Sequence, residues 1–356
     1  MSSGTGGPDP RSGTPATDPR ALAIGQLAPW FGRRLGGAEG DAALAELNAR
    51  DASIFILDIA GGEARLHQKP GHYPAAEIAG TAPPSHNLLD RAHLYRAFVE
   101  GLVRARGFRT PLRLAFTTHD KAPFEPGLPL FAYQKPRGSA LVLWPDIEFL
   151  RYRFYADPSF DDPFPFAEKA EHAIFVGATS GMLLTPVAVA SLAAPRLRAA
   201  VHFRGSARVG FFLPQVVQCT TPEAAAAVVA LDVAGRRHSW REMYGSRYLL
   251  AIDGNGVSCS RVALGLRSNS ALVKYDSPWQ LHYFDRMLPW RHYIPVARDA
   301  DVTRVMELCA ATPGLAAGIA EAGRAFAAAW LSQPAVEDYA FELLRAYAAC
   351  CGFAES

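Results

Sequence analysis

RYLLAIDGNGVSCSRVALGLRSNSALVKYDSPWQLHYFDRMLPWRHYIPV, residues 247–296, is the stretch that decides the fold class. Its apolar run at 248–252 predicts a buried strand that ends at the glycine-rich turn 253–256. A helical pattern follows at 259–266, and a second apolar run at 271–273 predicts another strand. This order is typical of an α/β protein with a parallel sheet, in which a glycine-rich turn leads into the helix.

The turn at the entrance of this helix predicts an anion site. Backbone N–H groups are exposed at a helix N-terminus, and the helix dipole favours negative charge there. Arg261 lies in the first turn of the predicted helix and carries a planar guanidinium that suits a phosphate. Asp253 could accept a hydrogen bond from a ribose hydroxyl or simply hold the turn. The pattern favours a phosphorylated ligand, and among such ligands a nucleotide.

Composition sets the limits of the interpretation. The chain has 356 residues and 49% apolar content, enough for two domains. Its net charge is +2 with no basic block, so a nucleic-acid partner is not indicated. Five cysteines, an odd number without metal-ligand spacing, favour a reducing cytoplasmic compartment. No apolar run reaches the ~18–20 residues of a membrane span, so we expect at most peripheral membrane contact. Residues 1–20, rich in Gly, Pro, Ser and Thr, predict a disordered tail.

The rest of the chain repeats the alternation of strand and helix. Strands are predicted at 54–59, 112–116, 140–143, 173–176 and 293–296. Because these strands read as continuous apolar runs, we expect parallel sheets covered on both faces. The proline-rich segment 157–165 predicts a linker, and the alanine-rich pattern after 315 predicts a long helical region broken at Pro334.

Polar side chains that follow strands are expected at the edge of the sheet where ligands bind. Asp120, three residues after a strand, is the first candidate for a catalytic base, although a turn or cap aspartate has the same pattern. His119 is an alternative base, Asp146 also fits an Asx turn, and His292 fits a buried structural histidine. The predicted donor-binding residues are Thr179, Ser180, Gly181, Asp253, Gly256, Ser258, Ser260, Arg261, Ser270 and Lys274.

Missing motifs narrow the class of enzyme. The sequence contains no GxxxxGK[ST] phosphate loop, no GxGxxG dinucleotide turn and no GxSxG elbow. It contains no HExxH motif and no Cys/His cluster, so we expect no metal and no cofactor.

Residues 246–296 resemble the signature region of glycosyltransferase family 90. The resemblance rests on a Lys/Arg-Tyr-Leu strand, a glycine-containing turn, a stretch similar to Ser-x-Arg at 258–261, the turn 268–270 and the ending Pro-Trp-Arg-His-Tyr-Ile-Pro-Val at 289–296. We expect it to extend over about residues 112–309. The family includes Rumi-type protein O-glucosyltransferases, fungal capsule xylosyltransferases and bacterial LpsA-type proteins.

The resemblance implies a GT-B fold, in which two Rossmann-like lobes face a cleft. Residues 21–160 would form the acceptor-side lobe, residues 161–315 the nucleotide-sugar lobe, and the helices of 316–356 would pack across both. It implies an inverting, metal-independent transfer from a UDP-sugar, with Asp120 as the catalytic aspartate and Arg261 at the diphosphate. The implied acceptor is a glycan or lipopolysaccharide hydroxyl.

Two positions depart from the family pattern. Val176 and Leu184 stand where relatives carry arginines. Arg196, Arg198 or Arg204 could replace them, and the sequence leaves that choice open. These departures motivate an alternative, a non-catalytic nucleotide-sugar-binding or scaffold protein derived from the same fold.

Overall fold

The computed structural model describes residues 18–67, 88–122, 125 and 127–353. The predicted tail lies outside these residues except at its end, where Asp18 caps a helix that begins at Pro19. The strands are β1 Ile54–Ala60, β2 Glu63–His67, β3 Leu112–Thr117, β4 Leu130–Ala132, β5 Lys135–Pro136, β6 Val142–Leu143, β7 Ala170–Ala178, β8 Val209–Gln215, β9 Ser246–Ala251, β10 Ala271–Tyr275, β11 Trp279–Gln280 and β12 Ile294–Val296.

The helices alternate with these strands. They are α1 Pro19–Leu27, α2 Ala38–Arg50, α3 Leu88–Ala105, α4 Ile147–Arg151, α5 Pro186–Ala190, α6 Pro195–Phe203, α7 Pro222–Ala230, α8 Trp240–Met243, α9 Cys259–Arg267, α10 Asp299–Ala311, α11 Leu315–Trp330 and α12 Gln333–Cys350. No helix in this part of the chain combines the length and apolar character needed to span a bilayer.

The first sheet has the strand order β2-β1-β3-β4-β6. Strands β3, β4 and β6 are parallel, but β1 runs antiparallel to both β2 and β3. The prediction of a wholly parallel sheet is therefore wrong here. The reason is the turn at Gly61 and Gly62, whose positive φ values of 60° and 84° let the chain reverse directly from β1 into β2.

The second sheet has the order β12-β10-β9-β7-β8, and all its pairs are parallel, as predicted. Strand β10 is buried along its whole length, which explains why its sequence shows no alternation of polar and apolar residues. Helix α9 links β9 to β10 and begins where the sequence predicts it.

The predicted linker and the predicted break between the C-terminal helices differ in detail from the structure. The proline-rich segment 157–165 is anchored to the second sheet, because Asp162 forms an ion pair with Lys169 at 2.7 Å and accepts from the backbone N–H of Asn269. The C-terminal helices break at residues 331–332 instead of Pro334. Pro334 lies in the first turn of α12, where a backbone N–H would have no acceptor within the helix, so proline is tolerated.

We call the first sheet with α1–α4 and α12 the first unit, and the second sheet with α5–α11 the second unit. Helix α12 lies against α1, and Tyr339 Oη donates to Leu143 O of β6 at 2.6 Å. The two units are joined by a short antiparallel ladder between β5 and β11. The backbone N–H of Arg137 also donates to Pro278 O at 2.7 Å. The carboxyl ends of β3 and β4 thereby meet those of β7 and β9.

Candidate functional site

Asp120 lies just beyond the carboxyl end of β3, where the two units meet. Its Oδ1 accepts from Arg91 Nη1 at 2.8 Å and from Tyr133 Oη at 2.5 Å, and its Oδ2 accepts from Asn255 Nδ2 at 3.2 Å. Its side chain remains 30% exposed, whereas that of Arg91 is only 10% exposed. Burial alone would raise the pKa of Asp120, but Arg91 and the hydrogen bonds outweigh it and lower that pKa to about 2. The carboxylate is therefore ionised and held by groups from both units.

The turn 253–256 of the second unit packs directly on Asp120 and its neighbours. Asn255 Oδ1 accepts from the backbone N–H of Gly181 at 3.1 Å and from Gln218 Nε2 at 2.9 Å. Gln134 forms a second bridge between the units. Its Nε2 donates to Asp120 O, and its Oε1 accepts from the backbone N–H of Val257 at 2.7 Å. The predicted donor turn and the predicted base thus form one hydrogen-bonded assembly.

Arg196, near the start of α6, organises the loops at the carboxyl ends of β7 and β9. Its guanidinium makes five hydrogen bonds of 2.8–3.2 Å, to Asp253 O, Ala178 O, Ser180 Oγ, Ile252 O and Ser258 Oγ. Every one of these acceptors is uncharged. The residue therefore fixes the loop conformation, while its positive charge has no carboxylate partner among the residues that the structure describes.

Arg261, in the first turn of α9, also reaches the carboxyl end of β7. Its Cζ is 4.2 Å from the ring centroid of Phe175 and 5.4 Å from that of Trp240. Arg196 Cζ is 5.3 Å from the ring centroid of Phe175. Arg261 Nη2 also donates to Val176 O. Two guanidinium groups thus share one aromatic ring at the edge of the second sheet.

The two arginines create a local excess of positive charge. Neither forms an ion pair with a carboxylate of the described residues. Burial lowers the pKa of Arg196 to about 10, although the charge of Asp253 opposes this. Burial and repulsion from Arg196 lower the pKa of Arg261 to about 9. Because a buried positive charge without a counterion is costly, this arrangement favours an anionic ligand.

Among the three arginines that the sequence left open, the structure places Arg196 at the site. Arg198, two residues on, forms an ion pair with Asp299 at 2.9 Å. Arg204 follows the far end of α6, where it donates to Leu231 O at 2.9 Å. The suggestion that Arg204 belongs to the site is therefore wrong, since the length of the helix separates it from Arg196.

Protein side chains already contact the N-terminus of α9, which the sequence predicts to be open to an anion. Ser258 Oγ donates to Ile252 O and accepts from Arg196, so it belongs to the loop assembly. Ser260 Oγ donates to Glu148 Oε2 of the first unit at 2.9 Å. Gly256 lies against Gln134. A carboxylate and an amide of the first unit therefore already contact the start of this helix.

Asp253 and Lys274 form a second polar region at the same edge. Asp253 Oδ2 accepts from Ser277 Oγ at 2.5 Å, and burial raises the pKa of Asp253. Lys274 is 6% exposed and its Nζ donates to Tyr275 O at 3.2 Å. Burial lowers the pKa of Lys274, and the charge of Asp253 opposes that shift. Both residues lie where the sequence predicts donor contacts.

Two predicted donor residues have structural roles. Thr179 is fully buried, and its Oγ1 donates to Val217 O at 2.9 Å and accepts from the backbone N–H of Val217 at 2.8 Å. Ser270 precedes β10 and therefore lies at the opposite edge of the sheet, where its Oγ donates to Ser246 O at 2.8 Å. The prediction of Ser270 as a donor contact is wrong, because a residue before a parallel strand cannot reach its carboxyl end.

The secondary candidates also have local partners. Asp146 caps α4 by accepting from the backbone N–H of Glu148 at 3.0 Å, and burial raises its pKa to about 7. His119 is exposed, and its Nδ1 accepts from the backbone N–H of Lys121 at 3.1 Å. His292 Nδ1 accepts from the backbone N–H of Leu288 at 3.0 Å, and burial lowers its pKa to about 4. His292 thus stabilises its own loop.

Sequence patterns alone do not reveal several of the site residues. Arg91 lies in the first turns of α3, and nothing in the sequence links it to Asp120. Tyr133 and Gln134 directly follow β4, a three-residue strand too short to leave a recognisable pattern. Asn255 stands inside the glycine-rich turn, so its position could have marked it. Tyr133, Gln134 and Asn255 share one signal, placement just after a strand or within the turn, whereas Arg91 has none.

Two aspartates separated by one residue, Asp299 and Asp301, lie at the start of α10. Asp299 pairs with Arg198, and Asp301 accepts from the backbone N–H of Arg298 at 2.9 Å. Within the described ranges, no group of three or more His, Cys, Asp or Glu side chains is arranged to hold a metal ion.

Comparison with known proteins finds a family similarity in the second part of the chain. Residues 215–354 match the model described as Glycosyl transferase family 90. The chain is 30% identical over 111 residues to Protein O-glucosyltransferase 2 of Danio rerio, a match that covers 31% of this chain and 22% of that protein. It is 27% identical over 103 residues to Protein O-glucosyltransferase 3 of Homo sapiens, covering 29% of this chain and 20% of that protein.

The same coverage, 29% of this chain and 20% of the relative, holds for Protein O-glucosyltransferase 3 of Rattus norvegicus at 27% identity. The chain thus spans about a fifth of the length of the curated relatives it matches. The family model includes the turn 253–256 and Arg261, whereas Asp120 and Arg196 precede it. Their place at the site therefore comes from the structure. Over residues 215–354, the chain is thus similar to glycosyl transferase family 90.

Proposed function

We propose that the protein is an inverting, metal-independent glycosyltransferase of GT-B architecture. It would move a hexose or pentose from a UDP-sugar to a hydroxyl of a glycan or lipopolysaccharide-type acceptor, in the cytoplasm or at the inner face of the membrane. The single observation that carries this proposal is the pair Arg196 and Arg261, two cations without a carboxylate partner among the described residues. Arg196 donates to the turn 253–256, whose Asn255 donates to the ionised carboxylate of Asp120.

In this proposal the diphosphate of the donor lies near the carboxyl end of β7, where Arg261 faces Gly177 and Val176 O. A guanidinium can exchange its bond to a carbonyl for one to a phosphate, which is the stronger acceptor. Arg196 uses its hydrogen bonds on the loops, so it contributes positive charge more than direct contacts. Both would stabilise the negative charge that develops on the leaving diphosphate.

Asp120 would take the proton of the acceptor hydroxyl. The acceptor oxygen attacks the anomeric carbon, the bond from that carbon to the diphosphate breaks, and its electron pair leaves with UDP. A carboxylate with a pKa of about 2 is a weak base toward a free hydroxyl. The proton therefore transfers late, once the attacking oxygen has become acidic by bonding to carbon.

The donor site is tested by titrating UDP into the wild type, Arg261→Ala and a control, Arg247→Ala. Arg247 has a similar size and charge but lies on β9 near Glu171, 3.5 Å away. We expect saturable UDP binding that weakens about 10–100-fold in Arg261→Ala, since a charge-assisted hydrogen bond contributes about 1.5–3 kcal/mol. The control should bind as the wild type does. Absence of saturable UDP binding in the wild type would reject the proposal.

The chemistry is tested by UDP-sugar turnover in the wild type and Asp120→Asn. We expect turnover to fall by at least about 100-fold, the usual range for loss of a general base. UDP binding that persists without any turnover by the wild type would instead favour the non-catalytic alternative. Turnover unchanged in Asp120→Asn would remove Asp120 as the base.

A further inference from the structure

We infer that Asn255 is a positioning residue for Asp120, and that it makes the orientation of the base depend on the donor turn. This inference rests on the proposed function. It assigns a task to a side chain for which the sequence predicted none.

The amide of Asn255 has only one orientation compatible with its neighbours. Two donors, the backbone N–H of Gly181 at 3.1 Å and Gln218 Nε2 at 2.9 Å, point at one end of the amide, which must be the oxygen. Gln218 Oε1 also accepts from the same Gly181 N–H at 3.0 Å, which closes the network. The nitrogen therefore faces Asp120 Oδ2, 3.2 Å away.

This contact fixes which oxygen of Asp120 is free to accept a proton. Oδ1 already accepts from Arg91 and Tyr133, so its lone pairs are in use. Among the described residues, Oδ2 accepts only from Asn255 and keeps a free lone pair. The proton of the acceptor hydroxyl would therefore go to Oδ2, while the electron pair of the broken O–H bond remains on the oxygen that attacks the sugar. Asn255 holds the carboxylate against rotation and so keeps this lone pair aimed in one direction.

The hydrogen bond between Asn255 and Asp120 also connects the proposed base with the proposed donor loops. Asp120 belongs to the first unit, whereas Asn255, Gly181 and Gln218 belong to loops of the second unit. The backbone of Gly181 packs against Gly254 of the same turn, with an ideal Cβ at position 181 only 3.4 Å from Gly254 O. A shift of these loops moves Asn255, and with it the support of Asp120 Oδ2. Asp120 is thus correctly aligned when these loops hold Asn255 against its Oδ2.

Two substitutions at position 255 distinguish loss of the N–H group that donates to Asp120 from loss of the contacts with Gly181 and Gln218. Asn255→Asp keeps an oxygen for Gly181 and Gln218 but presents a second carboxylate oxygen to Asp120. Asn255→Ala removes the whole amide without adding charge. Asn269→Ala is the matched control, because Asn269 makes comparable hydrogen bonds, to Asp162 O and Phe164 O, at the opposite edge of the second sheet.

The first readout is the titration of the Asp120 carboxyl carbon by NMR in labelled protein, assigned with Asp120→Asn. Because the Asn255 hydrogen bond favours the ionised form, we expect the pKa of Asp120 to rise by about 0.5–1 unit in Asn255→Ala and further in Asn255→Asp. Asn269→Ala should leave it unchanged. A pKa of Asp120 that stays at its wild-type value in both Asn255 variants overturns the inference.

The second readout is the pH profile of UDP-sugar turnover. We expect kcat to fall about 10-fold or more in Asn255→Ala with the donor KM changed less than about threefold, and the acid limb of kcat/KM to move to higher pH. A change confined to donor KM would also contradict a positioning role. If the wild type turns over no UDP-sugar, the proposed function fails, whereas the NMR titration still decides whether Asn255 controls Asp120. Gln218→Ala, which leaves Asn255 in place, should give a smaller shift and covers the case of a misfolded Asn255 variant.

Discussion

Gly256 of the second unit packs so closely on Gln134 of the first unit that a Cβ at position 256 would lie 2.0 Å from Gln134 Nε2. Gln134 cannot simply move aside, because its amide donates to Asp120 O and accepts from the backbone N–H of Val257. The glycine therefore permits the close approach of the two units. Its place in the sequence motif predicts a donor contact, but its backbone faces protein.

Gly256→Ala should lower the free energy of unfolding by about 1–3 kcal/mol, the usual cost of overpacking a filled contact. Denaturant titration measures this. Gly318→Ala is the matched control, because a Cβ added at Gly318, within α11, would have no atom of the described residues within 4 Å. That substitution should raise the free energy of unfolding by about 0.5–1 kcal/mol through helix propensity. Equal stability of the two variants would contradict the packing at Gly256.

Arg196→Lys should weaken UDP binding although it keeps the positive charge. Lysine has three donors in place of five and lacks the planar fork, so the hydrogen bonds to Ala178 O, Ile252 O and Asp253 O cannot all persist. We expect about a 10-fold increase in Kd, as for loss of one or two net hydrogen bonds. Calorimetric titration measures it. The same change at Arg198, on the same helix but paired with Asp299, should leave the Kd within about twofold.

Asp146→Asn should stabilise the protein increasingly as the pH rises from 4 to 7. Burial raises the pKa of Asp146 to about 7 in the folded chain, above its value of 3.8 when exposed. Between these values the unfolded chain ionises first, so the wild type loses stability until the folded group ionises as well. Asparagine does not ionise and still caps α4. We expect the advantage of the variant to grow by about 4 kcal/mol and to level off above pH 7. A constant difference across this range would refute the raised pKa.

Tyr339→Phe should destabilise the packing of α12 on the first sheet. Its hydroxyl donates to Leu143 O at 2.6 Å and is buried, so the substitution leaves a buried carbonyl without this donor. We expect a loss of about 1–2 kcal/mol in the free energy of unfolding. Thermal denaturation measures it, with Tyr293→Phe, at a half-buried position outside α12, as the comparison. A wild-type melting temperature for Tyr339→Phe would show that the bond contributes nothing.

The sequence predicted the second sheet well because local patterns determine it. Strand β9, the glycine turn and α9 follow one another within 22 residues, and each is marked by apolar runs or glycine. The first sheet was predicted less well. The strand predicted at 54–59 gives no sign of the reversal at Gly61 and Gly62, and β4 is too short for any period to show.

The residues of the site likewise include some that local sequence marks and some that it does not. Arg261 and Asp253 lie within one continuous motif, so spacing alone marks them. Arg91 and Arg196 reach the site from helices distant in sequence. Packing alone reveals Arg91, and packing decides for Arg196 among the three arginines that the sequence left open. Ser270 shows the converse, since a polar residue in the motif lies at the wrong end of its strand. Polarity close to a strand predicts a functional edge only when the direction of the strand is also known.

Arg196 and Arg261, which have no carboxylate partner within the described part of the chain, would link the lifetime of the protein to the presence of an anionic ligand. Two buried cations that repel each other destabilise the folded chain while no anion is bound. A phosphate-bearing ligand would remove that destabilisation and add its own binding free energy, so the loaded protein unfolds less often than the empty one. Local opening of the loops after β7 and β9, and hence their cleavage by proteases, would then decrease as the ligand concentration rises. The level of intact protein would follow the supply of such a ligand.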